Sequence, residues 1–271
     1  MMRGSRAALA KELLERSVYF TFQREWEAFM RDELRADRLG NSRHSSASSG
    51  PPVTLSPFAN HQLFRNPFGE LTRVERAEIA LVEVEPLIAC VQRVDQVLQI
   101  IGPCGHGKTT HLLAIERAIP HSGYVYFPED LAQPPLPTIR PLLIDEAQRM
   151  GWRRLREVTR GSGPLAVSTH VDLTKRFRRN GFEVHTLDLA VPISAHRLQA
   201  MLNGRIAAAA VGGGAQFNAE RDTMVQHLFL SHDLVVALQQ HFGSNIRRIE
   251  HHLYEVFQRF AEKGEPWPPV I

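Results

Sequence analysis

The sequence predicts an α/β protein with a doubly wound parallel sheet and a helical region after it. Five short runs of aliphatic and β-branched residues carry the predicted strands, at 97–101, 124–127, 142–144, 165–168 and 184–189. Most of them lack the alternation of a half-exposed strand, which is typical of strands buried on both faces of a parallel sheet. Helical stretches follow three of the runs, at 108–118, 147–158 and 171–179. This order of elements predicts right-handed β-α-β crossovers.

The chain before the first strand divides into an appendage and a linker. Residues 5–37 have the pattern of one long helix or a broken pair of helices. Residues 41–52 contain five serines, one glycine and two prolines, a composition typical of flexible linkers. We therefore expect an N-terminal helical appendage over 1–40, a Ser/Pro-rich linker over 41–57 and a sheet domain over 58–191.

The region after position 193 has helical patterns throughout. They cover 194–211, 218–229, 231–241 and 244–262, with glycines at 212–214 and at 243 between them. In the last pattern the apolar residues recur at helical spacing and form one stripe. We expect a helical domain over 192–263 and a Pro-rich tail over 264–271.

The composition excludes several classes of protein. With 43% apolar and 23% charged residues over 271 positions, the chain is not wholly disordered, collagen-like or a coiled coil. No stretch approaches the roughly 18 apolar residues of a membrane span. Lys11, Glu12, Glu15 and Arg16 lie where a signal peptide needs apolar residues, so we expect a cytoplasmic protein. The two cysteines suggest neither a disulfide framework nor a zinc site.

A phosphate-binding loop follows the first predicted strand and opens a predicted helix, with the spacing G-x-x-x-x-G-K-[ST]. Glycines let the backbone turn tightly and point N–H groups at phosphate oxygens, where the helix dipole also favours anions. Lys108 would contact the β- and γ-phosphates of a nucleotide such as ATP, and the Thr109 hydroxyl would bind Mg²⁺. The predicted nucleotide-binding residues are Gly102, Pro103, Cys104, Gly105, His106, Gly107, Lys108, Thr109 and Thr110.

An acidic pair, Asp145 and Glu146, ends the third predicted strand. A carboxylate at the end of a buried strand is costly unless it binds something, and Mg²⁺ is a suitable partner. We expect Asp145 to hold the metal through its water shell and Glu146 to orient and deprotonate an attacking water. The alternative is a strand end followed by an ordinary acidic helix start. Together with the phosphate loop, the pair predicts hydrolysis of ATP by water.

These motifs resemble those of the AAA+ ATPases, over roughly residues 60–262. Residues 102–109 are similar to that family's Walker A motif, and residues 142–146 to its Walker B motif. The resemblance implies a P-loop NTPase fold of three α/β/α layers, with five parallel strands in the order 5-1-4-3-2 and a C-terminal helical lid. Insertions and pore loops of the remodelling members are not visible, which fits a minimal switch or loader.

The resemblance also implies residues that sense the nucleotide. Thr169, at the end of the fourth strand, matches the position of sensor 1, with His170 behind it; the alternative is a threonine that caps the strand. Segment 241–250 resembles bacterial replication initiators, which places Arg247 at the sensor 2 position. With Ser244 as the helix cap, Arg247 lies in the first turn, where a cation gains nothing from the helix dipole. The alternative is a solvated arginine.

Three further segments bear on partners. Arg176 and Arg179 lie where the family places arginine fingers that act on a neighbouring subunit, which implies a homo-oligomer; a solvated helix end explains them equally. The basic cluster at 153–160 has two equal explanations: it contacts a nucleic-acid backbone, or it forms a solvated or interface face. Residues 66–69, Asn-Pro-Phe-Gly, resemble the Pro-Phe entry that precedes the sheet, near the adenine, in transposition- and secretion-associated members; a turn explains them equally.

We therefore expect an ATPase that uses ATP and Mg²⁺ as a molecular switch on a macromolecular partner. Lys108, Glu146, Thr169 and Arg247 would carry the chemistry. DNA or a DNA-bound protein is the first candidate for the partner, and no membrane is expected. The alternative is a nucleotide-gated scaffold or signalling switch with little turnover. A small-molecule kinase is a third hypothesis, which the glutamate directly after Asp145 disfavours.

Overall fold

Five strands form one parallel sheet in the computed structural model, which describes residues 56–129, 133–161, 163–210 and 225–267. The strands are β1 (Gln96–Ile101), β2 (Gly123–Tyr126), β3 (Leu142–Asp145), β4 (Leu165–Thr169) and β5 (Glu183–Asp188). Their order in the sheet is β2-β3-β4-β1-β5, and every neighbouring pair is parallel. Read from β5, this is the order 5-1-4-3-2, so the predicted sheet is confirmed.

Helices cover the sheet and continue after it. They are α1 (Arg73–Glu78), α2 (Val84–Val91), α3 (Lys108–Ala118), α4 (Trp152–Arg160), α5 (Thr174–Arg178), α6 (Ala195–Ala208), α7 (His232–Phe242) and α8 (Ile246–Lys263). Helix α3 has its predicted bounds, whereas α1 and α2, ahead of the sheet, are additional to the predicted elements. In the described residues none of these helices has the length and apolar character needed to cross a lipid bilayer.

The helix predicted over 147–158 is divided in the structure. A 3-10 turn covers Ala147–Arg149, and α4 begins only at Trp152. Met150 and Gly151 have extended backbone between the two, with ψ of 126° and 157°. Because this break reorients the chain, α4 does not continue the 3-10 turn.

The capping residue of α8 also differs from the prediction. The structure places the N-cap at Asn245, not Ser244, and the Asn245 side chain accepts a hydrogen bond of 3.1 Å from the Arg248 N–H. Asparagine caps a helix as well as serine does. Arg247 nevertheless lies in the first turn, as predicted.

Both faces of the sheet are buried, which explains the missing alternation in the central strands. On one face Ile144, Val167 and Phe177 are fully buried among side chains of α4 and α5. On the other face Leu98 and Leu112 pack with residues of α2 and α3. Burial on both sides requires apolar residues at successive positions.

A third apolar core joins α6, α7 and α8, and it includes residues that precede the sheet in sequence. Phe58, Leu63 and Phe68 are buried in this core. Trp267 packs against it and donates a hydrogen bond of 2.9 Å to the Leu228 carbonyl. The predicted domain boundaries stay predictions. The appendage, nearly all of the linker, the glycines at 212–214 and the last four residues of the tail lie outside the described residues.

Candidate functional site

The carboxyl ends of three neighbouring strands bring the predicted site residues together. Lys108 and Thr109 begin α3 directly after the loop that leaves β1, Asp145 ends β3, and Thr169 ends β4. Since β3, β4 and β1 are adjacent and parallel, these ends meet at one edge of the sheet. Ligands of open α/β sheets bind at this edge.

The phosphate loop has the backbone that its glycines permit. Gly105 and Gly107 have φ values of 80° and 85°, in the left-handed region, which other residues enter only at a cost. Gly107 is the N-cap of α3. The first N–H groups of a helix lack intrahelical partners and attract anions. The loop and the start of α3 therefore form a site suited to phosphate.

Lys108 is a buried cation at the base of this loop. The residue is only 5% exposed, and its Nζ donates to the carbonyl oxygens of Gly102 (3.0 Å) and Pro103 (2.9 Å). Burial lowers the pKa of the Lys108 ammonium, and the charge of Glu146 opposes that shift. The loop itself thus supplies partners for the ammonium group.

Asp145 is a buried carboxylate, 1% exposed, with four donors around it. Its Oδ2 accepts from the Thr109 and Tyr124 hydroxyls, each at 2.8 Å. Its Oδ1 accepts from the Ser168 hydroxyl and from the Glu146 N–H (3.1 Å). Burial raises the pKa of Tyr124 well above its ordinary value, and the neighbouring Asp145 carboxylate raises it further. Sequence reasoning did not identify Tyr124 and Ser168, because single tyrosines and serines in strands carry no motif.

Glu146 adopts left-handed backbone, with φ 59°, and its carboxylate is held from three sides. Its Oε1 lies 3.2 Å from His170 Nε2, and its Oε2 accepts from Gln148 Nε2 (2.5 Å) and lies 3.5 Å from Arg149 Nη2. Burial by itself would raise the pKa of Glu146. The hydrogen bond and charge of His170, and the charges of Arg149 and Lys108, outweigh that effect and lower it to about 2.

The polar residue that faces this edge after β4 is His170. Its Nδ1 lies 3.3 Å from Lys108 Nζ, and its Nε2 contacts Glu146. The Thr169 hydroxyl instead donates to the Val171 carbonyl (2.8 Å) and accepts from the Val171 N–H (3.1 Å). The structure therefore does not bring the Thr169 hydroxyl onto Lys108 or Glu146, and Thr169 as sensor stays a prediction.

Gln99, fully buried in β1, holds the segment that follows His170. Its Nε2 donates to Asp172 Oδ1 (3.0 Å), and its Oε1 accepts from the Leu173 N–H (2.7 Å). Hydrogen bonds from Thr174 and Gln99 lower the pKa of Asp172 to about 2. A buried polar residue of β1 thus determines where the chain runs after β4. The sequence signal was a glutamine within an apolar strand.

The start of α8 packs directly on the phosphate loop. The Arg247 Nη1 lies 3.5 Å from Cys104 Sγ, and a Cβ added at Gly105 would approach the Cβ of Arg247 to 3.1 Å. Arg76 of α1 belongs to the same cluster. Burial lowers the pKa of Arg76 to about 10, Glu250 opposes this shift, and the charges of Arg205 and Arg247 add to it. Positive charge is therefore concentrated beside the loop, and Arg76 carried no sequence motif.

Other predicted residues lie elsewhere. Arg176 and Arg179 are exposed, on α5 and directly after it. Asn66 donates to the Tyr254 carbonyl (3.0 Å), and buried Arg205 donates to the carbonyls of Pro67 (2.9 Å) and Gly69. The segment 66–69 is therefore attached to α6 and α8, and its role near an adenine stays a prediction.

The residues at the edge of the sheet fit a magnesium ion bound with phosphate. Among the described residues there is no group of three or more His, Cys, Asp or Glu side chains that could hold a metal by itself. The Thr109 hydroxyl and the Asp145 carboxylate meet at 2.8 Å, and both are oxygen ligands of the kind Mg²⁺ prefers. Mg²⁺ usually takes one or two such ligands and fills its shell with phosphate oxygens and water.

The order of the strands and the positions of the motifs on them decide the fold. The phosphate loop follows β1, the acidic pair lies at the end of β3, and helices α6 to α8 come after a sheet of order β2-β3-β4-β1-β5. The chain has an α/β P-loop NTPase fold, and its strand order and C-terminal helices match those of the AAA+ fold. The predicted fold class is thereby confirmed.

Comparisons with solved structures find chains that are similar to most of this chain at low sequence identity. NtrX from Brucella abortus in complex with ATP is similar over 77% of this chain, with 14% identity and a TM-score of 0.38. The same protein with ADP is similar over 95%, with 13% identity and a TM-score of 0.40. The structure of Drosophila ORC bound to DNA is similar over 87% of this chain and 70% of its own, with 15% identity and a TM-score of 0.35.

The chain spans 56% and 61% of the two NtrX chains. No protein-family model matches the chain, and no curated protein sequence matches it either.

Proposed function

We propose that this protein binds ATP with Mg²⁺ at the edge of the sheet and hydrolyses it to ADP and phosphate. The observation that carries the proposal is the convergence of a buried lysine, a hydroxyl and two carboxylates beside a helix N-terminus. Lys108, Thr109, Asp145 and Glu146 come from two separate segments, yet Thr109 bonds directly to Asp145 at 2.8 Å.

The phosphate loop binds the triphosphate in this proposal. Lys108 exchanges its bonds to the Gly102 and Pro103 carbonyls for bonds to phosphate oxygens, and it already lies within 3.3 Å of His170 at the opposite wall. Loop N–H groups bind the remaining oxygens. Arg247, at the start of α8, adds positive charge where the γ-phosphate carries its negative charge.

Thr109 and Asp145 would hold the metal. Mg²⁺ bound there would neutralise charge on the phosphate oxygens. The Ser168 and Tyr124 hydroxyls, which bond to the Asp145 carboxylate, keep that carboxylate oriented toward Thr109.

Glu146 and His170 act on the attacking water. The Glu146 carboxylate orients the water and accepts its proton, and His170, 3.2 Å from Glu146, contacts the same water or the γ-phosphate. Proton transfer by a positioned side chain typically contributes about 10² to 10⁴ in rate.

The clamped state of Glu146 favours a second candidate function, a nucleotide-gated scaffold with little turnover. A carboxylate with a pKa of about 2 is a weak base, and Gln148 and Arg149 occupy its Oε2. Turnover then requires that nucleotide or a partner loosen these contacts.

The partner in this proposal is a macromolecule, with DNA or a DNA-bound protein as the first candidate. A homo-oligomer would place Arg176 or Arg179 of one subunit against the γ-phosphate of the next, since both are exposed. The cytoplasm is the compartment we propose.

The test is ATP hydrolysis by wild type and Glu146→Gln, with and without duplex DNA, with light scattering to follow assembly. We expect turnover that Glu146→Gln reduces by about 100-fold or more, while nucleotide binding persists. Lys108→Ala should lose nucleotide binding. Tight ATP binding without turnover, indifferent to DNA, would instead support the scaffold. Absence of ATP binding by the wild type would refute both.

A further inference from the structure

Helix α4 presents one face to solvent, and that face combines a tryptophan with arginines. Trp152, Arg153, Arg156 and Arg160 are all exposed, and they lie within about a third of the helix circumference. Leu155 and Val158, on the other side, are buried against the sheet. The exposed face therefore takes no part in the core of the domain.

Trp152 is unusually exposed for a tryptophan. It is 64% exposed, although tryptophan side chains are highly buried on average. The guanidinium carbons of Arg153 and Arg156 lie 5.4 Å and 5.2 Å from the ring centroid. Such contacts hold an aromatic ring and cations together at a surface.

The charge of this face is strongly one-sided. Within the described part of the chain, the ion pair on this helix joins Arg154 to Glu157 at 2.7 Å. Arg153, Arg156 and Arg160 are left to carry positive charge at the surface. Shallow grooves run along the face, lined in part by Trp152, Arg156 and Arg160.

We propose that this α4 face binds single-stranded nucleic acid. Arginines provide contacts to the phosphate backbone, and an exposed indole provides a flat surface on which an unpaired base stacks. A duplex keeps its bases stacked on one another and offers no base face to Trp152. A purely acidic protein surface would use the arginines but leave the indole without a role.

The position of α4 connects this surface with the nucleotide site. Trp152 lies three positions after Arg149, whose guanidinium is 3.5 Å from Glu146 and donates to the Tyr126 hydroxyl and the Phe127 carbonyl. A nucleic-acid strand bound on α4 would therefore alter the position of the segment whose Arg149 holds Glu146. This inference names the partner class of the proposed function, but binding at α4 does not require ATP hydrolysis.

The test is fluorescence anisotropy with a labelled oligothymidylate of about 30 nucleotides, without ATP, on the full chain. We expect binding that weakens with salt and that Trp152→Ala reduces by about tenfold, whereas Trp152→Phe retains most of it. The double variant Arg156→Ala with Arg160→Ala should reduce the magnitude of the slope of log binding constant against log salt concentration by about 1.4, since each phosphate contact to a single strand contributes about 0.7.

The matched control removes two exposed cations from another helix, Lys175 and Arg178 of α5, as Lys175→Ala with Arg178→Ala. This variant carries the same net charge as the double arginine variant, and we expect its affinity to stay within about twofold of wild type. Circular dichroism confirms that each variant is folded.

Several results would overturn the proposal. The first is the absence of oligothymidylate binding at low salt. Others are an equal loss of affinity in the α5 control and an unchanged affinity in Trp152→Ala. The last two are duplex DNA that binds as tightly as the single strand, and poly-glutamate that competes as well as the oligonucleotide at equal charge. ATP hydrolysis is measured separately, so a failure of the proposed ATPase function is seen independently of a failure at α4.

Discussion

The imidazole Nε2 of His170 lies 3.2 Å from Oε1 of Glu146, although the two residues are 24 positions apart in the sequence. The other ring nitrogen of His170 faces the Lys108 ammonium at 3.3 Å. One side chain thus contacts both the residue proposed to bind phosphate and the residue proposed to activate water.

Replacing His170 should therefore impair hydrolysis more than binding. We expect His170→Ala to lower kcat for ATP by about tenfold or more, with a change in nucleotide Kd of less than about threefold. Steady-state hydrolysis and nucleotide titration measure the two quantities. Thr169→Val tests the other predicted sensor, because it removes the hydroxyl that bonds to Val171. A loss of kcat in Thr169→Val with wild-type behaviour in His170→Ala would reverse the assignment.

Tyr124→Phe removes one of the donors to Asp145. We expect it to lower the free energy of unfolding by about 1 kcal/mol, because the Thr109, Ser168 and backbone donors remain. Since the pKa of Tyr124 is raised well above its ordinary value, the folded wild type and Tyr124→Phe should show the same tyrosinate absorbance over the pH range in which ordinary tyrosines ionise. One additional tyrosinate in the folded wild type over that range would contradict the buried Tyr124–Asp145 bond.

Gly105→Ala should distort the phosphate loop. The residue has φ 80°, and an added Cβ would come within 3.0 Å of Asn245 Oδ1 at the start of α8. We expect ATP affinity to fall by about tenfold or more. Gly264→Ala is the control, because Gly264 has a similar φ of 67° with nothing within 4 Å of an added Cβ. Its expected cost is about 1 kcal/mol in unfolding free energy, with unchanged affinity. Equal effects of the two variants on affinity would contradict the packing of α8 on the loop.

The depressed pKa of Glu146 predicts a pH dependence of stability. The carboxyl group has a pKa of about 2 in the folded chain, against an ordinary value of 4.5. Its contribution, of the order of 3 kcal/mol, is therefore fully present above pH 4.5 and is lost as the pH falls toward 2. Urea unfolding at pH 7, 4.5 and 2.5 should show that the difference between wild type and Glu146→Gln shrinks below pH 4.5. A difference that is constant with pH would show that Glu146 is not held in this way.

Local patterns were sufficient to predict much of the fold. The five strands fall within a residue or two of their predicted positions, and α3 has its predicted bounds, because buried strands and the phosphate loop each leave a contiguous pattern. Helices α1 and α2 lack such a pattern. Helix α1 has no buried residue and α2 has two, Leu87 and Val91, so no apolar stripe reveals these helices.

The sequence by itself determined that a glycine-rich loop ends in Lys108 and Thr109 and that Asp145 and Glu146 end a buried strand, because these motifs consist of neighbouring residues. Only the tertiary structure decided which distant side chains surround them. Packing of sequence-distant segments places Tyr124 and Ser168 on Asp145, His170 between Lys108 and Glu146, and Phe58 in the core of the C-terminal helices. The physical reason is that hydrogen bonds and apolar contacts between distant segments depend on the arrangement of whole elements, which no local spacing encodes.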